Sequence, residues 1–453
     1  MGRMNRRTPF SAIGCLVSVF VLLITGCARK CLDTELMRIA ALDKRIFMKN
    51  GGWCWFQDER AIIHKGKLII GSLAGSGGGD VKLAVFDLSL GLDLGAVILE
   101  EKLEQDDHNV PALYARPDDS ILAMYARHGK TLDTRHFYRI SEPGNPLKWG
   151  PVKIFDHGPK NWLTYMNLYY LPSDKTLYCF YRDGASFQPY YMISENHGET
   201  WQAGGHFITH GLEGRHRPYA RYTSNGKDRI FFSFTQAHPA AYKPGCSIYF
   251  AAFGQGKFYK ADGSYIKDLK KDGPLTPGEA DLIFKGDSNN NAWTSSIRLD
   301  VNDYPHIGYS VHKSSEDHRY RYAYWDGKAW RDREVAYAGG CLYPRESHYT
   351  GLITLDPVNP ELMYISTNVD PGTGQKTGTG RYEIFGGRIE KGKETLPVKW
   401  IPLTKNSGAD NIRPICVAGE GYKVLLWLRG SYTTYEKYQT DVVGVILHSM
   451  NGI

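Results

Sequence analysis

Seven short apolar runs recur along the chain at a nearly even interval, and that interval constrains the fold more than any other feature. The runs are Lys67-Leu-Ile-Ile-Gly71, Ser120-Ile-Leu-Ala-Met-Tyr125, Thr176-Leu-Tyr-Cys-Phe-Tyr181, Arg229-Ile-Phe-Phe-Ser-Phe234, His306-Ile-Gly-Tyr309, Leu362-Met-Tyr-Ile-Ser366 and Lys423-Val-Leu-Leu-Trp-Leu428. Each is rich in β-branched and aromatic side chains and reads as a strand of about five or six residues. Successive runs begin about 50 to 60 residues apart, with one wider gap between Arg229 and His306. Most follow a turn signal, such as Pro117-Asp-Asp119, Asn225-Gly-Lys-Asp228 or Asp356-Pro-Val-Asn-Pro360. A repeat this long must hold several strands, which is the pattern of a propeller; a sandwich needs no repeat. The expectation is an all-β, seven-bladed β-propeller of four-stranded antiparallel blades.

Composition agrees. With 42% hydrophobic and 23% charged residues in 453, the chain can build a large core, which excludes a disordered chain and a multi-span membrane protein. The 49 glycines, 30 tyrosines and 10 tryptophans favour tight turns joined by aromatic strands over a helical bundle. One segment sharpens the assignment: Ser194-Glu-Asn-His-Gly-Glu-Thr-Trp201 follows the S-x-D-x-G-x-T-W pattern of the Asp-box hairpin of sialidase-like propellers, with Asn196 where Asp is usual. That motif is a folding device, in which the polar side chain caps a turn and the tryptophan wedges between strands. It says nothing of catalysis.

Residues 1–26 carry Arg3, Arg6 and Arg7, an apolar run from Ile13 to Ile24, and small residues before Cys27. This reads as a lipoprotein signal peptide, because the run is shorter than the roughly 20 residues a membrane span needs. Lipidation at Cys27 would anchor the mature chain to a bacterial outer membrane, facing the periplasm or the cell surface. Residues 27–42 are then expected as a tether and 43–453 as a single propeller domain. Losing three arginines and no acid lowers the formal charge from +7 to +4. With no basic run, nucleic acid is not an expected partner. A monomer is expected.

The chemistry is expected at strand ends that converge on the propeller axis. His108 lies in Asp106-Asp-His-Asn-Val-Pro-Ala-Leu113, and His128 ends Tyr125-Ala-Arg-His128. A neutral imidazole can take a proton near neutral pH. For any one histidine the plainer role is a loop hydrogen bond. Tyr165, Arg182 and Tyr219 occupy corresponding places in later blades, and Arg182 directly follows an apolar strand. A guanidinium offers a planar fork for a carboxylate. Two histidines, tyrosines and an arginine suit proton abstraction beside a carboxylate better than hydrolysis by paired acids, for which no Asp/Glu pair stands out.

Several segments together resemble the BNR-repeat propellers that include the ulvan lyases: Gly51-Gly-Trp-Cys-Trp-Phe-Gln-Asp-Glu-Arg60, Asp107-His-Asn-Val-Pro-Ala-Leu113, Ala126-Arg-His128, Phe234-Thr-Gln-Ala-His-Pro239 and Tyr349-Thr-Gly-Leu352. The resemblance implies a polysaccharide lyase that cleaves a rhamnose–glucuronate polymer by β-elimination. It assigns His108, His128 and Tyr165 to catalysis, Arg182 to neutralising the uronate carboxylate, and Tyr219 to substrate binding. No cofactor is required for that chemistry. Some lyase relatives carry a structural zinc, for which His238, Cys246 and Cys341 are the available ligands, although their spacing is not a zinc-finger pattern. Rhamnosidases of the same superfamily use a first-blade histidine on the opposite face, where this chain has Gln57 in Trp55-Phe-Gln57-Asp58. The alternatives are therefore an α-L-rhamnosidase acting on rhamnose–glucuronate caps, or a non-catalytic glycan-binding lipoprotein. An acidic polysaccharide is the expected partner in each case.

Overall fold

The computed structural model describes Met1 and residues 34–448, apart from 130–132, 159–161, 211–217, 241, 243 and 393–394. The signal peptide and Cys27 lie outside the described residues.

Seven antiparallel sheets follow one another along the chain. Their innermost strands are Ala61–His64, Ala112–Ala115, Leu163–Leu171, Ala220–Ser224, Asn291–Leu299, Ile353–Leu355 and Asp410–Gly419, which define blades 1 to 7. Each innermost strand touches the next, and that of blade 7 touches that of blade 1, so the ring closes around a central axis. Closure is secured across the termini: Arg45–Met48 pairs antiparallel with Lys437–His448 as the outer strand of blade 7. The expected seven-bladed architecture is therefore the one observed.

The seven apolar runs read from sequence turn out to be the second strand of each blade. Ile121–Tyr125, Ile230–Phe234 and Leu362–Thr367 are buried at every position. A strand packed by adjoining blades on both faces must be apolar throughout, so it stands out as an unbroken run. The wide gap after Arg229 is an insertion in blade 4, whose sheet has six strands including Lys257–Tyr259, Tyr265–Asp268 and Asp281–Phe284.

The Asp-box turn joins Pro189–Ser194 to Gln202–His206. Asn196 takes the acid's place without loss, since its Oδ1 accepts from the Thr200 amide at 2.9 Å and its Nδ2 donates to Thr200 Oγ1 at 2.8 Å. Trp201 is buried and meets Tyr138 of blade 2 edge-on at 6.5 Å. Gly198 is required there: its φ is +90°, and a Cβ would come within 2.6 Å of Leu122 Cδ2.

The described part of the stretch expected as a tether begins with a helix. Residues 34–41 are helical, and Leu36 and Ile39, three apart on one face, are buried against Leu362, Leu403 and Trp427.

Candidate active site

A short loop between blades 1 and 2 supplies the first functional residues. Asp106 caps the single 3-10 turn Asp107–Asn109, accepting the His108 backbone amide at 3.0 Å. The Gln57 side-chain amide donates to the His108 carbonyl at 2.7 Å and holds the turn from inside. Beyond the second strand of blade 2, His128 returns to the same place. The two imidazoles stack with centroids 3.8 Å apart and planes within 8°.

One carboxylate orients both rings. His108 Nδ1 donates to Asp106 Oδ1 at 2.6 Å, and His128 Nδ1 donates to Asp106 Oδ2 at 2.8 Å. An ionised carboxylate only accepts, so each Nδ1 carries a proton and each Nε2 turns away from Asp106. Arg182 then donates through Nη2 to His128 Nε2 at 3.1 Å, which requires a lone pair there. His128 is accordingly a neutral imidazole.

Tyr165 sits at a bulge in the inner strand of blade 3, between Thr164 and Asn167, with φ of +62°. For a bulky residue that conformation is strained, and bulges of this kind re-aim a side chain. The ring lies 5.3 Å from His108 and directly under the Arg182 guanidinium, 4.5 Å from its carbon. Arg182 also donates to the Tyr219 hydroxyl at 3.1 Å. All five residues expected from sequence thus share one cluster, on one face of the propeller.

The charges in this cluster are unevenly balanced. Burial alone would raise the Asp106 carboxyl, but His128 and His108 hold it far below the usual carboxylate range. Burial opposes a charge on His108 as well, yet Cys54, Tyr165 and Asp106 lift it well above the ordinary imidazole range. Burial and the charge on His108 push His128 down to about 4. The stacked pair therefore titrates apart, an imidazolium beside a neutral ring. Burial also raises the Tyr165 phenol well above its ordinary value. Arg182, only 5% exposed, has no carboxylate within ion-pair reach among the described residues, although burial of an unpaired charge is costly. Among the other buried guanidiniums, Arg413 is paired with Asp107 at 2.7 Å and Arg298 with Glu59 at 2.6 Å, whereas Arg60 donates to the Met166 carbonyl at 2.6 Å.

Sequence reasoning passed over Asp106, Asp107, Arg413 and Tyr435. The two aspartates directly precede His108, and the N-cap preference of Asp was the signal available. Arg413 and Tyr435 come from blade 7, far away in sequence. Arg413 and the Tyr432 hydroxyl both donate to Asp107 Oδ2, at 2.7 and 3.1 Å, and the Tyr435 ring meets His108 edge-on at 5.1 Å.

The three zinc candidates do not fit a metal centre. His238 Nδ1 accepts the Ala240 amide at 3.0 Å, and its Nε2 faces Glu346 at 3.4 Å. Cys246 donates its thiol proton to the Ala237 carbonyl at 3.2 Å, and burial pushes that thiol up to about 12. Among the described residues, no cluster of three ligand atoms includes His238, Cys246 or Cys341. No step of the chemistry below involves zinc at this place.

Fold and cluster together define a closed seven-bladed β-propeller with a buried histidine–arginine–tyrosine site at one end of its axis. The chain belongs to the BNR repeat-containing family, whose model matches residues 83–338, more than half of the sequence. No curated protein matches it. Among solved structures, a PL25 ulvan lyase bound to -[GlcA(1-4)Rha3S]- is similar at a TM-score of 0.64 and 15% identity, covering 88% of this chain and 95% of its own. Polysaccharide lyase Uly1 is similar at 0.58 and 13% identity, covering 86% of this chain and 90% of its own. At such identities the likeness establishes the shared fold.

Proposed function

We propose that this protein is a polysaccharide lyase that cleaves a uronate-containing, ulvan-like rhamnose–glucuronate polymer by β-elimination. The observation that carries the reading is Arg182: a buried guanidinium without a carboxylate partner, joined to His128 and Tyr219 and lying over Tyr165. The structural likeness to a lyase bound to a glucuronate–rhamnose ligand supports the same substrate class.

The chemistry follows from what each group can do. A uronate C5 proton becomes acidic only when the adjacent carboxylate charge is neutralised, and Arg182 supplies the fork that does so and holds the enolate-like intermediate. His128, the more exposed of the two rings, becomes the base that takes the C5 proton once Arg182 turns its Nη2 from the His128 Nε2 lone pair to the uronate carboxylate. The electrons of the C5–H bond form the C4=C5 double bond as the C4–O bond breaks. Tyr165 keeps its proton at neutral pH and lies beside the charged His108, so it is suited to protonate the leaving glycosidic oxygen. The products are an unsaturated uronate end and a free hydroxyl.

Gln57, expected on the opposite face as the counterpart of the rhamnosidase histidine, instead lies buried against the His108 turn and donates to its carbonyl at 2.7 Å, so it belongs to the same cluster. The reading of residues 1–26 as a lipoprotein signal fits a periplasmic or surface location on the outer membrane. Incubation of the mature protein with ulvan or glucuronorhamnan tests the reading. A rise in ultraviolet absorbance from unsaturated uronate is the expected result. Release of free rhamnose without that product, or no product from any of several uronans, rejects it.

A further inference from the structure

Cys54, Asp107 and His108 meet beneath the stacked rings. One ligand atom from each, a thiol sulfur, a carboxylate oxygen and a ring nitrogen, lies within 4.8 Å of the other two. All three residues are buried, at 2%, 0% and 4% exposure, unlike the solvated acidic clusters that surround most proteins. Asp107 is incompletely satisfied: both of its donors, Arg413 and Tyr432, bond Oδ2. Its Oδ1 receives no hydrogen bond, because His108 Nδ1, 3.2 Å away, directs its proton to Asp106. Cys54 is a free thiol.

We propose that Cys54, Asp107 and His108 form a binding site for a soft divalent cation such as Zn²⁺, and that occupancy of this site switches off the catalytic centre. The switching half rests on the lyase reading above; the binding half does not. Zinc takes thiolate sulfur, imidazole nitrogen and carboxylate oxygen in a tetrahedron, with a water completing the fourth position. Side-chain shifts of about 1 Å bring the three atoms from their present spacing to that of a tetrahedral shell. The thiol and the ring each give up one proton to solvent as the ion enters, so the two charges of the ion are offset and the net buried charge is unchanged. That exchange is what makes a cation tolerable beside Arg413. Once His108 serves the metal, it no longer holds a proton beside Tyr165, and its stacking on His128 is disturbed.

The test uses the full mature chain, stripped with chelator and titrated with Co²⁺, whose thiolate charge-transfer and four-coordinate d–d bands report the ligand set without substrate. Wild type is expected to show both bands, and Zn²⁺ to displace them while raising the melting temperature. Cys54→Ser and His108→Ala are each expected to lose the thiolate band, whereas Cys341→Ser retains it. Zn²⁺ is expected to inhibit wild-type turnover reversibly with EDTA, and to inhibit Cys54→Ser, measured against that variant's own metal-free rate, at least about tenfold more weakly. Should Cys54→Ser fail to fold, His108→Ala carries the spectroscopic test. The absence of a thiolate band in wild type, or its persistence in the folded variants, overturns the site. A band in a protein that acts on no uronan rejects the enzyme reading and leaves the metal site standing.

Discussion

Replacing Asp106 by asparagine isolates the device on which the site depends. The carboxylate accepts from two imidazole N–H groups and one backbone amide, at 2.6, 2.8 and 3.0 Å, in a fully buried position. An amide keeps one acceptor oxygen and presents an NH₂ group in place of the other. One ring must then face donor to donor, or turn over to its other tautomer. Hydrogen bonds to a charged group contribute about 1.5–3 kcal/mol each, so the loss of one gives an expected destabilisation of about 2 kcal/mol in urea unfolding. The rate effect is larger, because a flipped His128 turns a proton, not a lone pair, toward Arg182 and the substrate. In the Ser-His-Asp triad the same exchange lowers turnover about 10⁴-fold by fixing the wrong tautomer, and Asp106→Asn is expected to lose about 10²- to 10⁴-fold. Initial rates of unsaturated uronate formation measure this, and ¹⁵N spectra of the ring nitrogens read the tautomers independently of activity. Turnover within about threefold of wild type, with unchanged ring spectra, would refute the account of how the rings are held.

Three further outcomes follow from the same geometry. Arg182→Lys preserves the charge but not the fork that joins His128 to Tyr219, and kcat/KM is expected to fall at least about 10²-fold in steady-state assays. Gly198→Ala, remote from the site, meets a positive φ and a 2.6 Å contact with Leu122; urea unfolding should register a loss of about 1–3 kcal/mol, with turnover per folded molecule unaltered. On the rim of blade 5, burial and the neighbouring His312, stacked 3.9 Å away, push His348 down to about 3. An imidazole in the unfolded chain titrates near 6.5, so between these values the unfolded chain holds the extra proton. The stability His348 contributes is complete above about pH 6.5 and declines as pH falls toward 3. Melting temperatures across that range should fall less steeply in His348→Gln.

The parts of the fold legible in sequence were those whose burial leaves a one-dimensional trace. The second strand of each blade is covered on both faces, so Ile121–Tyr125 and Ile230–Phe234 appear as unbroken apolar runs. The innermost strands left a weaker trace, because they line the axis and carry polar groups such as Asn167 and Arg221 among apolar ones. The Asp-box could be read because its turn is local, with every bond formed within seven residues.

Sequence by itself determined the repeat and the number of blades, since these follow from local pattern, and it pointed through a family resemblance to the five residues of the histidine–arginine–tyrosine set. Tertiary structure alone decided how those residues act on one another. The sharing of Asp106 between two rings, the lone pair left on His128, the acid missing from Arg182 and the arrival of Arg413 beside Asp107 all depend on segments that the fold brings together. Such relations depend on distances of a few ångströms between elements up to 306 residues apart, and ring closure, which no local segment encodes, sets those distances.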